Sequence, residues 1–129
     1  MKVVIKNVNE AHKIVDINND LHTLQNIVEG YIEIPYIPSI SEMGISMIIN
    51  DEGKLNGSEP NIALIQGSTV ADLVFGNVIF AGTDESDLTD LNEEQIEFLN
   101  KTLNLTCSQC IIQHKKDSVP KVINAIKIG

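Results

Sequence analysis

Short runs of β-branched residues alternate along the chain with stretches in which apolar side chains recur at helical spacing. Residues 2–6 and 13–17 are two such runs, separated by the polar break Asn7-Val8-Asn9-Glu10, and they predict two antiparallel strands joined by a turn. Leu21, Leu24, Ile27 and Val28 then share one helical face, with Asn18, Asn19 or Asp20 available as the front cap and Gly30 as the back one. Residues 31–37 alternate and contain Pro35, which predicts an edge strand or a bulge because proline cannot donate to a ladder. Residues 44–50 form a continuous apolar run of strand length, ending at a turn over 51–57 that holds Gly53 and Gly57. That turn reads as a hairpin or a wide connection. Pro60 at a first helical position predicts one helical turn over 60–65. Residues 70–81 are again apolar and β-branched around Gly76-Asn77, a pair expected to form a bulge or a tight turn.

The clearest local code lies further on. Asn92 as N-cap faces Gln95 at the third helical position, and Leu91 just outside can touch Ile96 just inside, which is a capping box with a hydrophobic staple. A helix over about 93–103 follows, with Ile96, Leu99 and Leu103 as its apolar stripe and Glu93 and Glu94 at the positive end of its dipole. After Asn104 the texture changes to Cys107-Ser108-Gln109-Cys110, a basic patch and the apolar residues 119–128. The expected organisation is a core domain over 1–103 and a C-terminal appendage over 104–129, an extra strand and helix packed on the body or on a partner subunit. The fold class expected is α+β, a single compact domain with a mixed or mainly antiparallel sheet of about five or six strands packed by two or three helices.

Size and charge narrow the function. A chain of 129 residues buries roughly two-thirds of its unfolded surface and folds without metal or disulfide. Its net charge of −9 is uneven: residues 1–100 carry seventeen acids and four lysines, whereas residues 101–129 carry five lysines and Asp117. An acidic body repels phosphate backbones, and the chain has no arginine, the preferred bidentate reader of guanine and phosphate. Duplex nucleic acid is therefore not an expected partner. No run approaches the ~20 apolar residues of a membrane span, and Met1-Lys2-Val3-Val4-Ile5 is unlike a signal peptide, so the expected location is the cytosol, without membrane association.

Cys107, Cys110 and His114 form C-x-x-C-x-x-x-H, three ligand types on one segment. A closed zinc site needs a fourth ligand, which His12, His22 or an acid would have to supply, and buried or surface thiols are the simpler reading. No metal or cofactor is expected. Asp84, Glu85, Asp87 and Asp90 open an acidic stretch that runs on to Glu97 without a lysine. It reads as a solvated loop entering a dipole-complemented helix, or as a DNA-mimicking face that holds a host protein. Nucleophile elbow, Walker loop, H-E-x-x-H and kinase signatures are all missing, so no motif supports catalysis. The turn and its flanks are different. A plain hairpin turn with Lys54 solvated and Asn56 bonding its own backbone in an Asx-turn is one reading; the other is that turning requires Gly53 and Gly57 but not Lys54, Asn56 and Asn61, and this surplus of an ammonium and two carboxamides suits an anionic, hydrogen-bond-rich small molecule such as a nucleotide. Tyr31 would add a stacking face and Glu33 a further polar group, in a pocket that a second subunit of a homo-oligomer would complete.

The ordered motifs G-Y-I-E at 30–33, N-D-E-G-K-L-N-G at 50–57, P-N-x-A-L at 60–64 and D-x-x-x-G at 72–76 resemble the domain-of-unknown-function family 3846, over residues 1 to about 103. The resemblance implies a setting in bacteriophages, plasmids and integrative elements of low-GC Gram-positive bacteria, and it implies no activity. The function expected is thus that of an accessory protein acting by non-enzymatic binding, through sequestration of a nucleotide-type defence signal. The alternatives are an acidic inhibitor of a host protein and a small nucleotide-acting enzyme.

Overall fold

The computed structural model describes residues 1–105, 108–113 and 119–129. The chain runs β1 (Lys2–Lys6), β2 (Lys13–Asp16), α1 (Leu21–Val28), β3 (Ile32–Glu33), α2 (Pro38–Ser41), β4 (Ile45–Asn50), β5 (Pro60–Gln66), β6 (Thr69–Phe75), β7 (Val78–Asp84), β8 (Asp87–Thr89), α3 (Glu93–Thr102), β9 (Gln109–Ile112) and β10 (Lys121–Lys127). These strands make two sheets. The first has the order β2-β1-β7-β4-β3, with β8 also paired to β7, and the second has the order β6-β5-β10-β9. Every pairing is antiparallel except that of β10 with β5. The α+β class stands, with two sheets in place of the single one expected.

Strand alternation gives the first sheet two apolar faces. Val4, Met47, Val78 and Phe80 point into a core shared with Ile62, Leu64, Val74 and Ile126 of the second sheet and with Leu99 and Leu103 at the α3 end. Their neighbours Val3, Ile5, Ile48, Ile79 and Ala81 point the other way and pack on Leu24 and Val28 of α1. The first sheet is therefore the middle layer, which is why β1, β4 and β7 read as continuous apolar runs and not as alternating ones.

The helix ends follow their local code. Asp20 caps α1 by accepting from the Thr23 amide at 2.8 Å, and the left-handed residue at the other end is Glu29 (φ 64), one before the expected Gly30. At α3 both halves of the capping box form: the Asn92 side chain accepts from the Gln95 amide at 2.8 Å, and Gln95 Oε1 accepts from the Asn92 amide at 2.9 Å. The buried Gln95 amide group also donates to the carbonyls of Met43 (2.9 Å) and Gly44 (3.1 Å), tying α3 to the start of β4.

The sheet pairings decide four local expectations. Residues 60–65 are strand β5 and not a helical turn, because this segment is paired on both edges and its Ile62, Ala63 and Leu64 are buried. The 51–57 turn is the wide connection, since it carries the chain from the first sheet to the second. Gly76-Asn77 carries it back: β6 and β7 lie in different sheets, and Gly76 (φ 86) takes the left-handed conformation that the crossing demands. The segment read as an appendage supplies β9 and β10, with β10 lying between β5 and β9 and burying Ile123 and Ile126.

Candidate functional site

The residues singled out around the glycine turn do not gather at one point. Tyr31 is 72% exposed and Asn56 is exposed, with Asn56 Oδ1 accepting from the Ser58 amide at 3.0 Å in a local Asx-turn. Lys54 forms an exposed ion pair with Asp72. Glu33 and Lys54 share a groove of about 420 Å³ whose rim also carries Asp51 and Glu52. Asn61 lies elsewhere, 2% exposed, between the two sheets. On the acidic stretch, Asp84 and Asp87 pair across the β7–β8 hairpin, Glu85 takes a left-handed turn conformation (φ 57), and Asp90 accepts from the Lys2 amide at 2.7 Å. Cys107 and His114 lie outside the described residues; Cys110 is a half-buried free thiol on β9. Among the described residues no three His, Cys, Asp or Glu side chains are grouped to hold a metal, and no helix is long and apolar enough to cross a membrane.

The motif residues act largely as fasteners. Asn50 is buried at the end of β4, where its Nδ2 donates to the carbonyls of Val28 and Glu29, both at 3.1 Å, and closes the end of α1. Gly30 admits that contact, since a Cβ there would stand 2.5 Å from Asn50 Nδ2. Gly53 lies equally close to the backbone of Phe75, whose carbonyl oxygen would be 2.6 Å from an added Cβ. Asn61 joins the sheets: its Nδ2 donates to the carbonyls of Lys6 and Gly76, both at 2.8 Å, and its Oδ1 accepts from Lys6 Nζ at 2.9 Å.

Asn61 also opens onto a cleft of about 530 Å³, within the size range of small-ligand sites. Its walls are the end of β1 and the following loop (Lys6, Glu10, His12), the start of β5, the end of α3 (Asn100) and β10 (Lys121, Asn124). The loop is pinned to α3 by the 2.8 Å hydrogen bond between His12 Nε2 and Asn100 Oδ1. Lys6 is buried and donates to the Asn7 carbonyl and to Asn61, both at 2.9 Å. Its pKa is lowered, first by burial and then by the charge of Lys121, with Glu10 acting in the opposite sense. Among the described residues Lys121 Nζ and Asn124 Nδ2 are buried without a hydrogen-bond partner, and Asn124 as a whole is 2% exposed. Buried polar groups are nearly always paired, because an unmet donor costs about 1–3 kcal/mol. Two of them in one cleft beside a second lysine make a donor-rich, cationic recess in an otherwise acidic chain.

With that geometry in place, the sequence comparison takes a definite form. The family model described as Domain of unknown function (DUF3846) matches residues 1–104. The chain belongs to the DUF3846 family. Lys6, His12, Asn61 and Asn100 of the cleft fall inside the DUF3846 match, whereas Lys121 and Asn124 lie beyond it. No curated protein and no solved structure matches the chain.

Of the cleft residues only Asn61 stood out in the sequence. The others come from segments far apart in the chain and each has an ordinary local role, so spacing could not collect them. One signal was there to be read: Asn61 opens the apolar run 62–65 and Asn124 interrupts the one at 122–126, and a carboxamide buried in a strand needs a partner off the ladder.

Proposed function

We propose that this protein is an accessory protein of a phage or other mobile element that acts by non-enzymatic binding of a small nucleotide-type anion in the Lys6–Lys121 cleft. The observation that carries the reading is the pair of buried, unmet donors at Lys121 Nζ and Asn124 Nδ2. A ligand with acceptor oxygens would satisfy such a donor, and its negative charge would offset two ammonium groups that otherwise repel each other. The further carboxamide on the rim, Asn100, suits the hydrogen-bonding edge of a base or a ribose. The mobile-element setting rests on the family resemblance alone, and sequestration of a defence signal is the role a binder without chemistry would have there.

Thermal shift of the full chain against cyclic, linear and ADP-ribose-derived nucleotides tests this. A ligand at a hundred times its dissociation constant adds ~2.7 kcal/mol, a shift easily read. Lys121→Met and Asn124→Leu should abolish the shift, while Lys54→Ala should leave it unchanged. Mass analysis after denaturation should return the ligand intact; a converted product would make the protein an enzyme. No stabilisation by any member of the panel would remove the reading.

A further inference from the structure

The second sheet ends on a strand paired along one side only. Among the described residues β6 pairs with β5 and with no other strand, while the neighbouring edge of the first sheet, β3, is two residues long. The groove of about 420 Å³ lies between these two edges. We propose that the free edge is a docking site for an extended basic peptide segment of another protein, which adds as a strand to β6 over residues 69–73 and sets its cationic side chains against the acidic rim of the groove.

The backbone is the first argument. An unpaired strand edge presents N–H and C=O groups that a second extended chain satisfies through main-chain hydrogen bonds. Residues 69–72 are exposed and Leu73 is half-buried, so this stretch is open to an incoming chain. The other end of β6 is covered: Val74 and Phe75 are buried, and Gly53 of the 51–57 connection lies against the Phe75 backbone.

Charge is the second, and it chooses the occupant. The ionisable groups lining the groove are Glu33, Asp51, Glu52 and Asp72 against Lys54 alone, and Lys54 is already paired with Asp72. In the β5–β6 register Asp72 stands opposite Leu64 and Val74 opposite Ile62, so Asp72 shares the face that looks toward the first sheet. Edge strands are commonly guarded by charge, especially lysine. A carboxylate in that place turns acidic strands away and admits basic ones. Nucleic acid is repelled by the same rim, and a second copy of this chain, with its net charge of −9, would add its own acids to it.

Apolar surface is the third. Leu55, 85% exposed, lines the same groove, and Val70 is exposed on the free stretch itself. Side chains of an added strand alternate between its two faces, so one set can reach carboxylates while the other covers apolar surface. The groove shares no lining residue with the Lys6–Lys121 cleft, and the two sites stand or fall separately.

The probe is a fluorescently labelled octapeptide alternating lysine and valine, titrated into the full chain and read by anisotropy at about 0.15 M ionic strength. It should bind and shift the amide resonances of residues 69–73, and its glutamate–valine counterpart should not bind. Methylating one of the probe's two sets of alternate backbone nitrogens should weaken binding at least about tenfold and methylating the other should not, because only one set faces β6. Glu33→Gln combined with Glu52→Gln should weaken it by about the same factor. Glu93→Gln combined with Glu94→Gln should not, since these exposed acids of α3 do not line the groove. Lys54→Ala should tighten binding, a gain that no folding defect imitates. Equal losses from the two pairs of variants, or full binding by both methylated probes, would reveal a general attraction of cations to an acidic chain and overturn the inference. So would binding of the acidic peptide, absence of binding by the basic one, or shifts at residues 69–73 that follow protein concentration alone, the mark of a second copy on this edge.

Discussion

Asn61 and Lys6 hold each other across the two sheets by a reciprocal pair of hydrogen bonds. Lys6 Nζ donates to Asn61 Oδ1 at 2.9 Å, and Asn61 Nδ2 donates to the Lys6 carbonyl at 2.8 Å while also reaching the Gly76 carbonyl. One carboxamide thus serves β1, β5 and the crossing between β6 and β7. Asn61→Leu leaves one N–H of the Lys6 ammonium and two carbonyls without their Asn61 partner in a buried place and should cost about 3 kcal/mol in urea unfolding, with an unchanged dependence on denaturant. Asn61→Asp keeps the acceptor for Lys6 but turns a carboxylate oxygen toward both carbonyls, so it should also destabilise. A change below about 0.5 kcal/mol in either variant would mean that the pair is incidental.

The lowered pKa of Lys6 has a pH signature. Between its folded value and its ordinary 10.5, the unfolded chain holds a proton that the native protein has shed, so native stability rises with pH through that window. Below the folded value the native lysine is charged, and the penalty of burying it beside Lys121 is constant. Unfolding midpoints measured from pH 7 to pH 10 should rise less steeply in Lys6→Met than in the wild type. Lys121→Met should flatten the slope in part, because it removes the second cause of the shift and leaves burial. Parallel curves for all three proteins would show that Lys6 titrates normally.

The glycine turn makes the opposite prediction. Lys54 and Asp72 meet at the surface, each more than half exposed, and the Asn56 side chain serves its own turn. Exposed pairs contribute about 0–1 kcal/mol, so Lys54→Ala and Tyr31→Ala should each move stability by no more than about 0.5 kcal/mol and leave nucleotide binding in the cleft unaltered. Loss of binding in either variant would return the site to the turn.

That contrast shows what a sequence can and cannot disclose. The capping box at Asn92 and Gln95, the Asp20 cap and the strand runs at 2–6 and 45–50 were legible because each is decided by neighbours a few residues away. Residues 60–65 resemble a helical turn in sequence because Pro60 is local, whereas pairing with β10, some sixty residues on, is not. The motifs around Gly30, Asn50 and Gly53 stood out as polar surplus, and most of that surplus goes into closing α1 and seating the turn against Phe75. The cleft is the converse case. Lys6, His12 and Lys121 look ordinary where they stand, and only the parallel register of β10 on β5 places Asn124 next to the strand that carries Asn61.

The same register builds the C-terminal segment into the second sheet, although the family match ends at residue 104. β10 lies inside the second sheet, parallel to β5 with Asn124 opposite Ile62 and Ile126 opposite Leu64. The Ser39 amide donates to the Ile128 carbonyl at 2.8 Å, which ties the strand's far end to α2. Removing residues 105–129 strips a paired edge from β5 and takes the buried Ile123 and Ile126 out of the protein, each side chain contributing about 2 kcal/mol of apolar burial. A small domain is stable by only about 5–15 kcal/mol, so losing a central strand together with those contacts should exceed what the rest can supply. The fragment 1–104 should bind a hydrophobic dye, show poorly dispersed amide resonances and unfold without a cooperative transition. Its β5 edge, apolar and unpaired, should also make it aggregate. A fragment that instead melts cooperatively with well-dispersed resonances would show that the sheet closes without β10, and that Lys121 and Asn124 are additions to a site the first 104 residues can build alone.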